Sequence, residues 1–339
     1  MSTTPNITPA LTPITVLTGF LGSGKTTLLN RILTEKTDRK YAVIINEYGL
    51  EGIDDKLITA QIDEEVFEMN NGCICCTVRG DLIRILSALM RRRDKFDAIL
   101  LETTGLADPA PVAQTFFADP DVKASTELDS ILTMVDAAHI VGQLASSPEA
   151  TDQIAFADTI VINKIDAVLQ PEREAAEAAV RAVNPFATIL YGDHGKLLDK
   201  DGADVPLDFV LTRHAFSLQH VLGVDPEFLA NAAEGHHHHH DADITSISLT
   251  STVPLSSDKF DDWMGNLLAT RGQTILRTKG ILNIDNEPKR FVFQAVHMMS
   301  DGEFTTEWKP DEKRTSTLVL IGRNLNKAEL KAQFAACAA

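Results

Sequence analysis

The run Gly19-Phe-Leu-Gly22-Ser23-Gly24-Lys25-Thr26-Thr27 places Gly19, Gly24, Lys25 and Thr26 at the spacing GxxxxGK[ST]. Glycines let successive backbone N–H groups turn inward around a phosphate, and a helix opening directly after them adds the positive end of its dipole. Lys25 can then reach the β- and γ-phosphate oxygens, and the Thr26 hydroxyl can ligate Mg2+. The chemistry expected is binding and hydrolysis of a nucleoside triphosphate. A second constellation lies further on, where Cys73, Cys75 and Cys76 form CxCC after Asn70-Asn71-Gly72. Three thiolates offer three corners of a tetrahedron and suit Zn2+ or Co2+. The fourth corner is left for water, a carboxylate such as Glu47, or a partner's ligand. An open site of this kind suits transfer of an ion more than scaffolding; a redox pair is the competing use of adjacent thiols.

Asn163-Lys164-Ile165-Asp166 follows an apolar run at 159–162 and decides the base. A carboxylate at Asp166 accepts two hydrogen bonds, which suits the N1–H and N2 amine of guanine, whereas adenine has no matching donor pair. GTP is therefore favoured, with the Lys164 stem laid over the purine and Asn163 tying the loop together. Glu102 ends the apolar run 98–101, where P-loop enzymes hold a carboxylate near magnesium, usually through water. Asn46-Glu47-Tyr48-Gly49, followed by Asp54-Asp55, forms an acidic segment suited to meeting the γ-phosphate side. No residue stands out as the positioner of the attacking water, so slow intrinsic turnover is expected.

The elements that must carry these residues are readable from periodicity. Apolar, β-branched runs recur at 14–17, 42–45, 98–101, 130–135, 159–162 and 186–190, between helical stretches such as 26–33, 80–91 and 172–183. That alternation predicts a mainly parallel sheet with helices on both faces, the α/β architecture of a P-loop NTPase domain. Beyond it, runs at 244–252, 274–284, 290–298 and 316–321 read as strands, with helices at 258–269 and 327–336, a smaller α+β domain. Between the two lies the tract His236, His237, His238, His239, His240 beside Asp241 and Asp243. Imidazoles at this density collect divalent ions loosely, and an internal, acid-flanked position favours a natural tract over a tag. The expected organisation is a flexible tail over 1–11, a nucleotide domain over 12–215, a His-rich linker over 216–243 and a C-terminal domain over 244–336. His297 is expected on a strand as a structural residue, Trp263 and Trp308 as packing residues, and Cys337 as an incidental thiol.

Composition limits the partners. Among 339 residues the net charge is −17, and the longest basic run is Arg91-Arg92-Arg93, so a nucleic-acid partner is not expected. No apolar stretch approaches membrane-spanning length, and Lys25 is the first basic residue, which leaves the N-terminal region without the charge of a signal or transit peptide. Three of four cysteines within four positions make a poor disulfide framework and point to a reducing, cytoplasmic setting.

Taken together, GFLGSGKTT, NEYG, NGCICC, ETTGLADP and NKID, with a His-rich linker and a β-rich C-terminal region, resemble the CobW-type GTPases, a P-loop family related to the nickel-inserting GTPases of urease and hydrogenase maturation. The resemblance spans nearly the whole chain. It implies a G domain and a CobW C-terminal domain, magnesium-dependent GTP hydrolysis, and metal capture by Cys73, Cys75 and Cys76. It also implies that an acid at Glu102 is usual for the family. Family members are described as zinc or cobalt metallochaperones, some tied to zinc limitation, others to cobalamin synthesis or nitrile hydratase maturation. A zinc chaperone delivering to an apo-metalloprotein client is the expectation. Cobalt delivery, or passive zinc storage without nucleotide control, are the alternatives; the client and the oligomeric state are left open.

Overall fold

A computed structural model describes residues 11–35, 39–45, 66–68, 76–211 and 244–339. The chain opens with β1 (Thr12–Gly19), whose residues are almost all buried, and turns through glycines into α1 (Lys25–Glu35). Leu28, Leu29, Ile32 and Leu33 give this helix one apolar stripe. There follow β2 (Tyr41–Ile45), β3 (Val66–Glu68), α2 (Cys76–Met90) and β4 (Ala98–Glu102). Next come α3 (Ala110–Ala118), α4 (Pro120–Ser125), β5 (Thr126–Asp136), α5 (Ile140–Ser146), α6 (Pro148–Phe156) and β6 (Thr159–Asn163). The nucleotide-side unit closes with α7 (Gln170–Val183), β7 (Thr188–Asp193) and β8 (Lys196–Leu198).

Eight strands form one sheet in the order β3-β2-β4-β1-β5-β6-β7-β8, parallel throughout except for β8, which runs antiparallel to β7. Strands of a parallel sheet are covered on both faces, which is why β2, β4 and β6 are continuous apolar runs and not alternating ones. One face packs on α1 and on residues 207–211, and the other on α2 to α7. Local signals set the helix starts. Asp119 Oδ1 accepts from the Asp121 and Val122 amides, and Ser147 accepts from the Ala150 amide with Pro148 following.

The second unit contains β9 (Ile244–Ser251), α8 (Ser257–Arg271), β10 (Ile275–Leu282), β11 (Lys289–Val296), β12 (Met299–Glu307), β13 (Ser316–Arg323) and α9 (Lys327–Ala336). Its five strands are antiparallel in the order β12-β11-β10-β13-β9. One face of this sheet packs on α8 and α9 around Phe260, Phe293 and Phe334. The other presents Ile244, Leu276, Val296, Val319 and Ile321 to the core of the first unit, so the apolar interior runs from one sheet to the other. Among the described residues no helix is long and apolar enough to cross a membrane.

Several details differ from the sequence reading. The strand expected over 290–298 ends at Val296, and His297 occupies the turn that follows with φ of 51°. Its ring packs against Phe156 and its Nδ1 lies 3.1 Å from the Gly272 carbonyl, a structural role in a different place. The strands β3, β8 and β12 and the helices α3 to α6 carry too little periodicity to be expected from sequence. The first two strands have three residues each, and β12 is a polar edge strand held by its ladder to β11. Trp263 packs against Phe260 and Phe334 and donates to Gln333, Trp308 is buried beneath the Arg290 guanidinium, and Cys337 is a buried thiol.

One buried ion cluster fastens the units. Asp158, immediately before β6, accepts from the Ile131 amide at 2.9 Å and from Arg277 at 2.5 Å, and also pairs with Lys279; Arg277 donates in addition to the Phe156 carbonyl. Burial pushes the Asp158 carboxyl up, but the Arg277 and Lys279 charges outweigh it and hold the carboxyl below its ordinary range. Arg323 and Asp152 add a second contact at 2.5 Å. The exposed Lys123–Asp301 pair is screened by solvent and contributes little.

Removing Asp158 would leave the Arg277 charge buried without its carboxylate. Asp158→Ala is expected to cost about 3–5 kcal/mol in denaturant-induced unfolding. A carboxyl held low in the folded protein stabilises it above the unfolded-state pKa, about 3.9, and that contribution disappears as pH falls through the folded value. The wild type should therefore lose stability below about pH 4 more steeply than Asp158→Asn, as followed by melting temperature against pH.

Candidate functional site

The phosphate side is built at the junction of β1 and α1. Gly19, Gly22 and Gly24 all have positive φ, so the loop curls into a cradle that a side-chain-bearing backbone resists. Lys25 is buried, and its Nζ donates to the Gly19 carbonyl at 2.8 Å and the Phe20 carbonyl at 3.2 Å. Burial pushes its pKa down, and the Glu102 charge partly opposes that. The buried Ser23 hydroxyl makes no hydrogen bond among the described residues. Thr26 Oγ1 donates to Glu102 Oε1 at 3.1 Å, bringing together two hard oxygen groups from elements that are distant in sequence.

Glu102 is fixed by its strand. Thr103, the next residue, donates from its amide to the Leu17 carbonyl at 2.9 Å and from its hydroxyl to Thr18 Oγ1 at 2.8 Å, locking the end of β4 to β1. Gln153 on α6 donates to the carbonyls of Gly105 and Ala107, holding the segment after Glu102 from behind. The sequence reading did not single out Thr18, Thr103 or Gln153; a buried glutamine on an apolar helix face is the signal for the last of these.

The base side is stitched to the phosphate side by one amide. Asn163 Nδ2 donates to the Ser23 carbonyl at 2.8 Å, so the end of β6 is tied to the cradle. Two glycines leave room for it, since a Cβ at Gly24 would fall 2.3 Å from Asn163 Nδ2 and one at Gly192 would fall 2.2 Å from Oδ1. Lys164 takes the left-handed conformation, and its ammonium pairs at 2.8 Å with Asp136 Oδ2 at the end of β5. Asp166 lies in the short 3-10 turn Ile165–Ala167. His194 Nε2 stands 3.7 Å from its carboxylate while Nδ1 contacts Asp193 at 2.6 Å. The Asp193 bond, with the Asp166 charge, raises the His194 pKa. These three residues also bring ligand atoms within 4.8 Å of one another, in a partly exposed cluster.

Of the expected metal ligands, Glu47, Cys73, Cys75 and His236 to His240 lie outside the described residues, and Cys76 is the first residue of α2. The strands that lead into these segments are placed. In the sheet register Leu17 stands opposite Glu102, Glu102 opposite Ile45, and Ile45 opposite Glu68. Thus β2, which leads to Glu47, and β3, which leads to Cys73, end level with the strand carrying Glu102.

The stitch can be tested without touching a charge. Gly192→Ala should displace Asn163, break its bond to the Ser23 carbonyl and weaken nucleotide binding by roughly tenfold, the loss of about one hydrogen bond plus repacking. Binding of a fluorescent guanine nucleotide measures it, with an unchanged circular dichroism spectrum as the control for folding.

Comparison with known proteins agrees with this geometry. The family described as CobW/HypB/UreG, nucleotide-binding domain, matches residues 13–191, and the cobalamin synthesis protein cobW C-terminal domain matches residues 244–338. The chain is 35% identical to the zinc chaperone YjiA of Escherichia coli strain K12, over 95% of this chain and 97% of that protein. It is 31% identical to the zinc-regulated GTPase metalloprotein activator 1 of Schizosaccharomyces pombe strain 972, over 93% of this chain and 83% of that one. The crystal structure of Zn(II)-bound YjiA GTPase from E. coli matches with a TM-score of 0.73 at 29% identity, covering 98% of this chain and all (100%) of the other. With its cradle, its buried Lys25, its Thr26–Glu102 pair and both domain matches, the chain belongs to the CobW/HypB/UreG family of P-loop GTPases.

Proposed function

We propose that this GTPase is a cytoplasmic metallochaperone that captures a transition metal, zinc before cobalt, on Cys73, Cys75 and Cys76 and releases it to a client metalloprotein when GTP is hydrolysed to GDP and phosphate. Thiolate ligands at neutral pH require the reducing compartment this assumes. The names of the relatives, a zinc chaperone and a zinc-regulated GTPase metalloprotein activator, favour zinc.

One observation supports coupling above the others. The strands leading to Glu47 and to Cys73 end in register with the strand that carries Glu102. A change at the γ-phosphate is therefore a change at the rim where β2 and β3 end. Loops held by γ-phosphate contacts in the GTP state and released on hydrolysis would alter the ligand set, and metal and nucleotide affinities would be linked reciprocally.

The nucleotide chemistry assigns roles to the same groups. Gly19, Gly22, Ser23, Gly24, Lys25, Thr26 and Thr27 would hold the phosphates, with the Lys25 ammonium exchanging its two loop carbonyls for phosphate oxygens. Asn163, Lys164 and Asp166 would hold guanine. The Thr26 hydroxyl and Glu102 carboxylate are the hard oxygen donors that magnesium prefers, Glu102 through water, and they fit that ion. Magnesium bound there would offset the charge that develops on the phosphate oxygens. Glu47 is a candidate fourth ligand for the cargo metal, and the tract His236 to His240 a loose collecting arm.

Metal-free protein should change its GTP hydrolysis rate several-fold on titration with zinc or cobalt, and a Cys73/Cys75/Cys76→Ala triple variant should not respond. Zinc affinity measured with GTP and with GDP should differ by a factor within the usual range of allosteric coupling, roughly 5–150. Equal affinities in the two states would sink the coupling and leave a storage protein as the better reading.

A further inference from the structure

Lys164 is the residue whose apolar stem is to lie over the purine, and its ammonium must go somewhere. Two residues along the same loop stands Asp166, the carboxylate assigned to the guanine N1–H and N2 amine. If the Lys164 ammonium turned to Asp166, the stem would leave the base and the carboxylate would be occupied by the wrong donor. The structure shows a different anion holding it. Asp136 Oδ2 accepts from Lys164 Nζ at 2.8 Å. Asp136 is itself immobilised, with only 8% of its side chain exposed, at the end of β5, where its backbone pairs with Asn163 of β6. Its Oδ1 accepts from the Ala138 amide at 3.0 Å and lies 3.2 Å from His139 Nδ1. Burial pushes its pKa up, but the bonds from Lys164, His139 and the Ala138 amide outweigh this, so the carboxylate stays charged.

We infer that Asp136 is a positioning residue for base selection, holding the Lys164 ammonium away from Asp166 so that the stem covers the purine and the Asp166 carboxylate stays open to guanine. The backbone of Lys164 is left-handed, with φ of 61°, and from this conformation its side chain reaches the end of β5. A charge-assisted bond to a nearly buried, pre-bonded carboxylate outcompetes one to Asp166, which is more exposed. Asp136 touches no nucleotide in this account and acts only through Lys164. The inference rests on the reading of Asn163 to Asp166 as the guanine loop.

The test is a double-mutant cycle in the full-length protein, read as affinity for GTP and ATP. Asp136→Asn should weaken GTP binding on the order of tenfold, about 1.4 kcal/mol, and weaken ATP binding less, because adenine loses only the cover of the stem and no carboxylate contact, so that selectivity for guanine falls. Lys164→Met keeps an apolar stem and removes the ammonium. In that background Asp136→Asn should change GTP affinity by less than about twofold, because nothing remains for Asp136 to hold. The same tenfold loss in both backgrounds, or no loss in the wild-type background, would overturn the inference and leave Asp136 as a structural cap on the turn after β5. If Asp136→Asn fails to fold, Asp136→Ser is run through the same cycle. Unchanged GTP affinity for Asp136→Ser with Lys164 intact, at wild-type melting temperature, also overturns it. Failure of the loop reading is seen separately in Asp166→Asn, whose amide matches the extra carbonyl of xanthine. Absence of a shift from GTP towards XTP there would remove the guanine assignment whatever the cycle shows.

Discussion

The polar groups of the candidate site gather at the carboxyl ends of strands buried on both faces. The parallel ladder from β2 through β4, β1, β5 and β6 sets these ends level, so Gly19, Glu102, Asp136 and Asn163 arrive at one rim although they are far apart in the chain. Apolar burial on both faces holds the strands at a fixed pitch and stagger, and a parallel register is strongly specified where no face can slip to water. The Thr26–Glu102 and Lys164–Asp136 contacts follow from that alignment and would not survive a one-residue shift of any strand.

The rim is then tightened by small groups. Asn163 bridges the base loop to the phosphate cradle, and Gly24 and Gly192 keep open the space its amide occupies. Thr103 and Thr18 join β4 to β1 beneath Glu102, and Gln153 braces the segment beyond. A site made in this way is largely formed before nucleotide arrives, which reduces the ordering cost of binding. Lys25 is the exception, since its ammonium is held by two loop carbonyls that it would have to leave to reach a phosphate.

The opposite end of the same sheet is where the C-terminal unit docks. Asp158 lies at the amino end of β6 and Asn163 at its carboxyl end, so one short buried strand carries both the ion cluster that fastens the second domain and the amide that ties the nucleotide loops. The shared apolar core around Leu276, Val296, Val319 and Ile321 makes this a packed joint and not a tether. The C-terminal sheet is therefore held in fixed relation to the nucleotide rim, with its polar edge strand β12 at one end of the strand order.

Much of this protein was legible in its residues. The cradle, the NKID loop and Glu102 could be read because their chemistry depends on short local spacing, and the parallel sheet because strands buried on both faces leave uninterrupted apolar runs. The antiparallel C-terminal sheet showed through its longer strands, while the three-residue strands β3 and β8 and the polar edge strand β12 did not, since their partners and not their own pattern make them strands. The strand β11 stops at Val296, two residues before its expected end, a stop not legible in sequence because a left-handed turn residue such as His297 has no apolar signature. What the sequence determined was which groups are available: a phosphate loop, an NKID segment, three closely spaced cysteines. Only the tertiary structure decided which groups meet. Asp136 facing Lys164, Thr103 facing Thr18, and Asp158 facing Arg277 each join residues 28, 85 and 119 positions apart, contacts set by sheet register and domain docking, which no local pattern encodes.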